Sequence, residues 1–158
     1  MHLDLDAFVA RVDAAGVTTV HVFDTYVLTD TPDGQAVPVW TDPDAGVAFA
    51  RAAVEADPLL RLAVLTWPSA ALGPLAEHAR RTGWRLGPDW DPAGGIVLDG
   101  PVVRAEQVLD ALRTAGTPVP SREAPIDGHL GPRERRHVWD DGAGVRVDLV
   151  APDGTPRS

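Results

Sequence analysis

Amphipathic helical patterns alternate with short β-prone runs along this 158-residue chain, and a Pro-Asp-Gly turn separates two of the runs. Together these features predict an α/β (α+β) domain, a mixed sheet with an antiparallel hairpin flanked by three to four helices. At 44% hydrophobic residues, the chain has enough apolar side chains to fill a core of that size.

Residues 3–15 place Leu5, Phe8, Val9 and Val12 at helical spacing, with Asp4 as N-cap and Gly16 as the left-handed stop. Residues 18–29 (TTVHVFDTYVLT) and 35–41 (QAVPVWT) are rich in β-branched and aromatic side chains, with Asp30-Thr31-Pro32-Asp33-Gly34 between them. Proline presets φ and glycine accepts a positive φ, so the two runs are expected to pair as an antiparallel hairpin. Pro38 has no N–H to give a ladder, which predicts an edge strand or a bulge at that point. Asp42-Pro43-Asp44 has the form of a helix start, a carboxylate cap followed by proline and a second acid, and Pro58 ends that helix after Asp57. Residues 61–66 (RLAVLT) read as a buried strand. Leu72, Leu75, Ala76 and Ala79 mark the next helix, which starts at Ser69 or Pro74 and closes at Gly83. Residues 84–86 and 95–98 (GIVL) are two more strands. Residues 103–115 form a helix with Val108, Leu109 and Leu112 inward and Gly116 as its stop.

Four prolines (Pro118, Pro120, Pro125 and Pro132) then interrupt a stretch without apolar period. Residues 137–139 and 145–150 alternate around Asp140-Asp141-Gly142-Ala143-Gly144, the pattern of a terminal hairpin. The expected organisation is a small α/β domain over residues 1–116, a Pro-rich linker or long loop over 117–136, and a C-terminal β-hairpin and tail over 137–158.

Charge narrows the function classes. Fourteen basic residues, all arginine, against 23 acidic ones give a net charge of -9, and the only basic cluster is Arg133 to Arg136. That is not the footprint of a nucleic-acid binder or of a protein drawn to anionic membranes. No apolar run approaches the roughly 20 residues of a spanning helix, and the acidic start MHLDLD is unlike a signal peptide, so a cytoplasmic protein is expected. With no cysteine there is no disulfide, thiol nucleophile or thiolate metal site.

Few motifs carry chemistry. His2, His21, His78, His129 and His137 are scattered, and no pair has the H-x-x-x-H spacing that puts two imidazoles on one helical face. Gly94-Gly95 precedes a strand instead of following one, and a Walker motif is impossible without lysine. The expected metal and cofactor content is therefore none.

One carboxylate arrangement offers an alternative. Asp24 follows one apolar strand (VHVF), Thr66 ends a second and Asp140-Asp141 follow a third. This order resembles that of the haloacid dehalogenase superfamily. The resemblance implies Asp24 as nucleophile, Thr66 as the hydroxyl and Asp140 and Asp141 on Mg²⁺, together a phosphatase. Tyr26 and Val27 stand where that motif has its second aspartate and its glycine, and its lysine has no counterpart. The plainer reading makes Asp24 a solvent-facing strand residue, Thr66 a β-branched strand residue and Asp140-Asp141 part of a turn.

Tryptophan is the other uncommon feature. Trp40, Trp67 and Trp139 fall at or near strand ends, where aromatic side chains either cap a core or form a recognition patch, and these three are the candidate binding residues.

The run from Asp33 to Pro43, DG-x-x-VPVWT-D-P, joins a polar turn, an apolar strand and a T-D-P helix start. Further on, GIVLDGP, Gly95 to Pro101, is followed by a helix carrying VLDAL, Val108 to Leu112. On these motifs the stretch from Val20 to about Leu112 resembles the SseB N-terminal domain family. Its members are small bacterial α/β domains found in proteins linked to serine sensitivity and, in some bacteria, beside type VII secretion genes. Asp99-Gly100-Pro101 stands where the family has an Asn-Pro pair. The resemblance implies a non-catalytic domain, and the function expected is that of an interaction or adaptor domain in secretion or a conflict system, including an immunity role in which an acidic domain blocks a basic toxin. An acidic chain favours a basic protein partner. The oligomeric state is left open.

Overall fold

The computed structural model describes residues 4–22, 25–91, 100–116 and 132–151, which form an α+β fold. The strand expected over 95–98, most of the expected linker, the tail from residue 152, and Asp24, His2 and His129 lie outside the described residues.

The α-helices are α1 (Leu5–Ala15), α2 (Pro43–Ala56), α3 (Leu72–Thr82) and α4 (Ala105–Thr114). Their ends follow the local signals. Asp4 accepts a hydrogen bond from the Ala7 N–H at 3.1 Å, and Asp42 one from the Asp44 N–H at 3.0 Å, each satisfying a donor that the first turn leaves open. Gly16, Gly83 and Gly116 follow α1, α3 and α4 with positive φ. Only glycine fits at Gly16, where φ is 83° and a Cβ would collide with the Trp67 carbonyl oxygen. The two candidate starts of α3 are reconciled by a 3₁₀ turn over Ser69–Ala71 that leads into Leu72, leaving Pro74 in the first turn, where its missing N–H costs nothing.

The described strands are β1 (Val17–Val22), β2 (Thr25–Tyr26), β3 (Thr29–Thr31), β4 (Gly34–Val39), β5 (Arg61–Trp67), β6 (Arg85–Pro88), β7 (Val103–Arg104), β8 (Glu134–Asp140) and β9 (Val145–Val150). They build two sheets. One is antiparallel throughout, in the order β2-β1-β5-β8-β9; the other runs β3-β4-β6-β7, with β4 and β6 parallel. A pair of bonds between Thr18 and Trp40 joins them, the Thr18 N–H reaching the Trp40 carbonyl at 2.7 Å and the Trp40 N–H the Thr18 carbonyl at 3.0 Å.

Three expectations are corrected. The run over residues 18–29 is not one arm of a hairpin. It divides into β1, which pairs with β2 and β5, and β3, which alone pairs with β4 across the Pro32-Asp33 turn. A single strand of that length would extend about 40 Å, roughly the full width of a domain this size, so the chain folds back. Pro38 is not on an edge strand, since β4 lies between β3 and β6; the β3 ladder ends at Ala36, so the proline interrupts no pair on that side. The terminal hairpin begins earlier than residue 137. β8 begins at Glu134, inside the stretch read as linker, and pairs with β5 from Arg61–Trp139 to Thr66–Glu134.

Alternation along β5 divides the core in two. Leu62 and Val64 join Val20, Trp40, Phe49, Val54 and Val138 around α2, whereas Ala63, Leu65 and Trp67 point the other way, to Phe8, Val12, Leu72, Leu75, Val108 and Leu112 from α1, α3 and α4. No helix among the described residues is long and apolar enough to cross a membrane.

Candidate functional site

Two of the three candidate tryptophans belong to the core. Trp40 is 1% exposed and its Nε1 donates to the Trp90 carbonyl at 2.7 Å, while Trp67 is 4% exposed and donates to Thr19 Oγ1 at 2.9 Å. A ring sealed in a core with its one donor already bonded offers no partner a contact. Trp139 is half-buried. Its Nε1 donates to Asp148 Oδ2 at 2.7 Å and the Arg61 guanidinium lies 5.3 Å from its ring centroid, so its polar edge and one face are both occupied. Beside it, burial and the nearby Arg135 push the His137 imidazole below its ordinary range, against the pull of Asp148.

Of the groups proposed for phosphoryl transfer, Thr66 is set apart from Asp140 and Asp141, and Asp24 lies outside the described residues. Thr66 pairs with Glu134 at one end of β8, Asp140 is at the other, and six strand positions correspond to about 20 Å. Val22, the end of β1, pairs with Leu62, which pairs with Val138, so β1 ends at the edge where β8 reaches Asp140 and away from Thr66. The haloacid dehalogenase arrangement needs all three strands parallel and ending together, and β5, which carries Thr66, runs opposite to β1 and β8. Thr66 Oγ1 instead meets Thr18 Oγ1 at 3.1 Å. Asp140 Oδ1 accepts from the Gly142 N–H at 2.7 Å and Asp141 Oδ1 from the Ala143 N–H at 2.8 Å, as turn residues do. The Ala143 bond, aided by Arg146, holds the Asp141 carboxyl below the usual range. Among the described residues no group of three or more His, Asp or Glu side chains is placed to hold a metal ion.

The site that geometry does assemble is a pocket of about 250 Å³ where the end of α3, the starts of β6 and α4, and the β3–β4 turn meet. Asp33, Arg80, Trp84, Arg85, Arg104 and Glu106 line it. Each arrives for a local reason. Glu77 is buried in α3 because Arg80 and Arg81, one turn on, reach back to it at 2.6 and 2.9 Å. These arginines, Arg80 foremost, hold its carboxyl down at about 2, and Glu77 in turn keeps Arg80 charged. Gly83 then turns the chain, and Trp84 lies edge-on to His78 at 5.3 Å and to Tyr26 at 6.1 Å, which fixes the plane of its ring. Arg85 Nε donates to the Asp33 carbonyl at 2.8 Å, anchoring the β3–β4 turn.

Across the β6–β7 ladder Arg85 stands directly opposite Arg104. Such positions put Cβ atoms about 5 Å apart, and like charges there repel. Neither guanidinium is bonded to a carboxylate among the described residues. Arginine forks with an indole wall are a lining chemistry that suits a carboxylate or similar oxyanion. Arginine and tryptophan are also the residues that dominate the energetics of protein interfaces.

Comparison with protein-family models, curated proteins and solved structures gave no match. Sequence reasoning missed this pocket. The Glu77, Arg80 and Arg81 spacing was a readable signal, but the Arg85–Arg104 opposition exists only once β6 and β7 are in register.

Proposed function

We propose that this chain is a non-catalytic protein-interaction domain, an adaptor of the SseB N-terminal type working in cytoplasmic secretion or immunity systems. It grips its partner through the Arg85–Arg104 pocket. The observation that carries the reading is the pair Arg85 and Arg104, opposite each other in the ladder of a pocket that Trp84 also lines, with neither bonded to a carboxylate among the described residues. The net charge of -9 steers a basic protein toward the domain, and the pocket selects one that presents an aspartate or glutamate anchor. The SseB resemblance supports the class of function, through the turn, strand and helix start from Asp33 to Pro43.

The experiment is a comparative capture from lysate at low salt, with the wild-type domain and an Arg85→Glu, Arg104→Glu double variant as baits. The expected result is a partner retained by the first and lost by the second, with both baits melting at similar temperatures. Retention of nothing by the wild type, or equal retention by both, overturns the proposal. So does Mg²⁺-dependent hydrolysis of a phosphomonoester that disappears in an Asp24→Asn variant, which would favour the haloacid dehalogenase reading.

A further inference from the structure

We infer that the outer edge of β9 is a self-association surface on which a second copy of this chain adds its own β9 antiparallel, continuing the five-stranded sheet into a ten-stranded one. Three of the four strands that end a sheet among the described residues are short, β2 and β7 with two residues each and β3 with three. Short edges are a normal protection against pairing. β9 has six residues and nothing among the described residues pairs with its outer side.

The direction of its backbone groups follows from the hairpin. The Asp141 N–H donates to the Gly144 carbonyl at 3.2 Å, and the pairs beyond it, from Asp140–Val145 to Arg135–Val150, alternate between bonded and non-bonded. Val145, Val147 and Leu149 fall at the non-bonded positions, so their N–H and C=O groups point to the open edge. Their side chains share the face toward α2, where Val145 and Val147 pack on the core and Leu149 remains 46% exposed. Arg146 and Asp148 occupy the opposite face.

Two-fold pairing through this edge must centre on one residue, because only then do both strands present the same kind of pair. Centred on Val147, it sets Val145 against the partner's Leu149, and Arg146 against the partner's Asp148, twice over. The charged pairs are then the non-bonded ones, whose Cα atoms approach to about 4.5 Å. A shift of two residues in total register sets Arg146 against the partner's Arg146 or Asp148 against the partner's Asp148. The sequence Val145-Arg146-Val147-Asp148-Leu149 is thus self-complementary in one register and self-repelling in its neighbours. Within the single chain Arg146 is only loosely held, 3.4 Å from Asp141 and 3.9 Å from Asp148, while Asp148 also accepts from Trp139.

Sedimentation equilibrium on the full chain tests this with three samples besides wild type: Arg146→Glu, Asp148→Arg, and an equimolar mixture of the two. Wild type is expected to dimerise, and each variant alone to self-associate about thirtyfold more weakly, since both of its symmetric charge pairs become repulsive. The mixture should regain the dimer. In the mixed pair the new carboxylate of the Arg146→Glu chain faces the new guanidinium of the Asp148→Arg chain, and the native Asp148 of the first faces the native Arg146 of the second. A monomeric wild type, variants that dimerise as wild type does, or a mixture that stays monomeric each overturns the inference.

Discussion

β5 and β8 of the five-stranded sheet are joined by six residue pairs, whereas β6 and β7 of the four-stranded sheet share two. The short ladder is held by side chains instead. Trp90 lies against Gly87 and Gly100, where a Cβ would strike its ring, and its Nε1 donates to the Pro101 carbonyl at 2.7 Å. Asp89, with φ of 50°, accepts from the Thr41 N–H at 2.7 Å and from Arg11 at 2.9 Å, tying β6 to β4 and α1. Where backbone pairing is long, stability is spread over many equivalent bonds and a charged pair such as Arg146 and Asp148 is left on the rim. Where it is short, a few polar and aromatic anchors set the geometry, and two arginines can stand at opposite ladder positions.

That contrast can be broken most severely by removing β8 and β9. A chain ending at Arg133 leaves Leu62 and Val64 on an open edge and deletes Val138 from the core, so it is expected to lose its cooperative melt by circular dichroism and to scatter light. Trp40→Ala strikes the joint between the sheets and should cost about 4 kcal/mol in urea unfolding, from the cavity and from the Trp90 carbonyl left without its donor. Glu77→Gln should cost about 2 kcal/mol by the same measurement, because Arg80 and Arg81 lose their shared carboxylate.

The acid limb sharpens the last point. Glu77 has a folded value below its unfolded one, so its contribution is complete above pH 4.5 and fades as pH falls toward about 2. His137 is also depressed, and its contribution begins to fade as pH drops below 6.5. The melting temperature of the wild type should therefore decline gently below pH 6.5 and steeply below 4.5, and only the steep part should flatten in Glu77→Gln. The smallest effect is expected from Arg104→Gln, which relieves its repulsion with Arg85 and should leave stability within about 0.5 kcal/mol of wild type, unchanged or slightly higher.

Helix ends were legible because their causes are local: Asp4, Asp42, Gly16 and Gly116 act within one turn of their own position. So were the Thr31 to Gly34 turn and the Asp140 to Gly144 turn. Partner choice was not. Nothing within residues 18–29 says that β1 must leave β4 for β5, and nothing near Trp40 or Trp67 separates a rim position from a buried one, because both questions are settled by strands far along the chain. The pocket failed to show for the same reason, since Arg85 and Arg104 become neighbours through register alone.

The central place of β5 has a consequence for synthesis. Its side away from β1 is completed only by Glu134–Asp140, which leave the ribosome long after Trp67. At about 5–20 residues per second that interval amounts to several seconds, far longer than a hairpin needs to form. During it the nascent chain carries a seven-residue apolar strand with one bare edge. The moment at which this protein is most open to mispairing is therefore set by the speed of translation and not by its own folding rate.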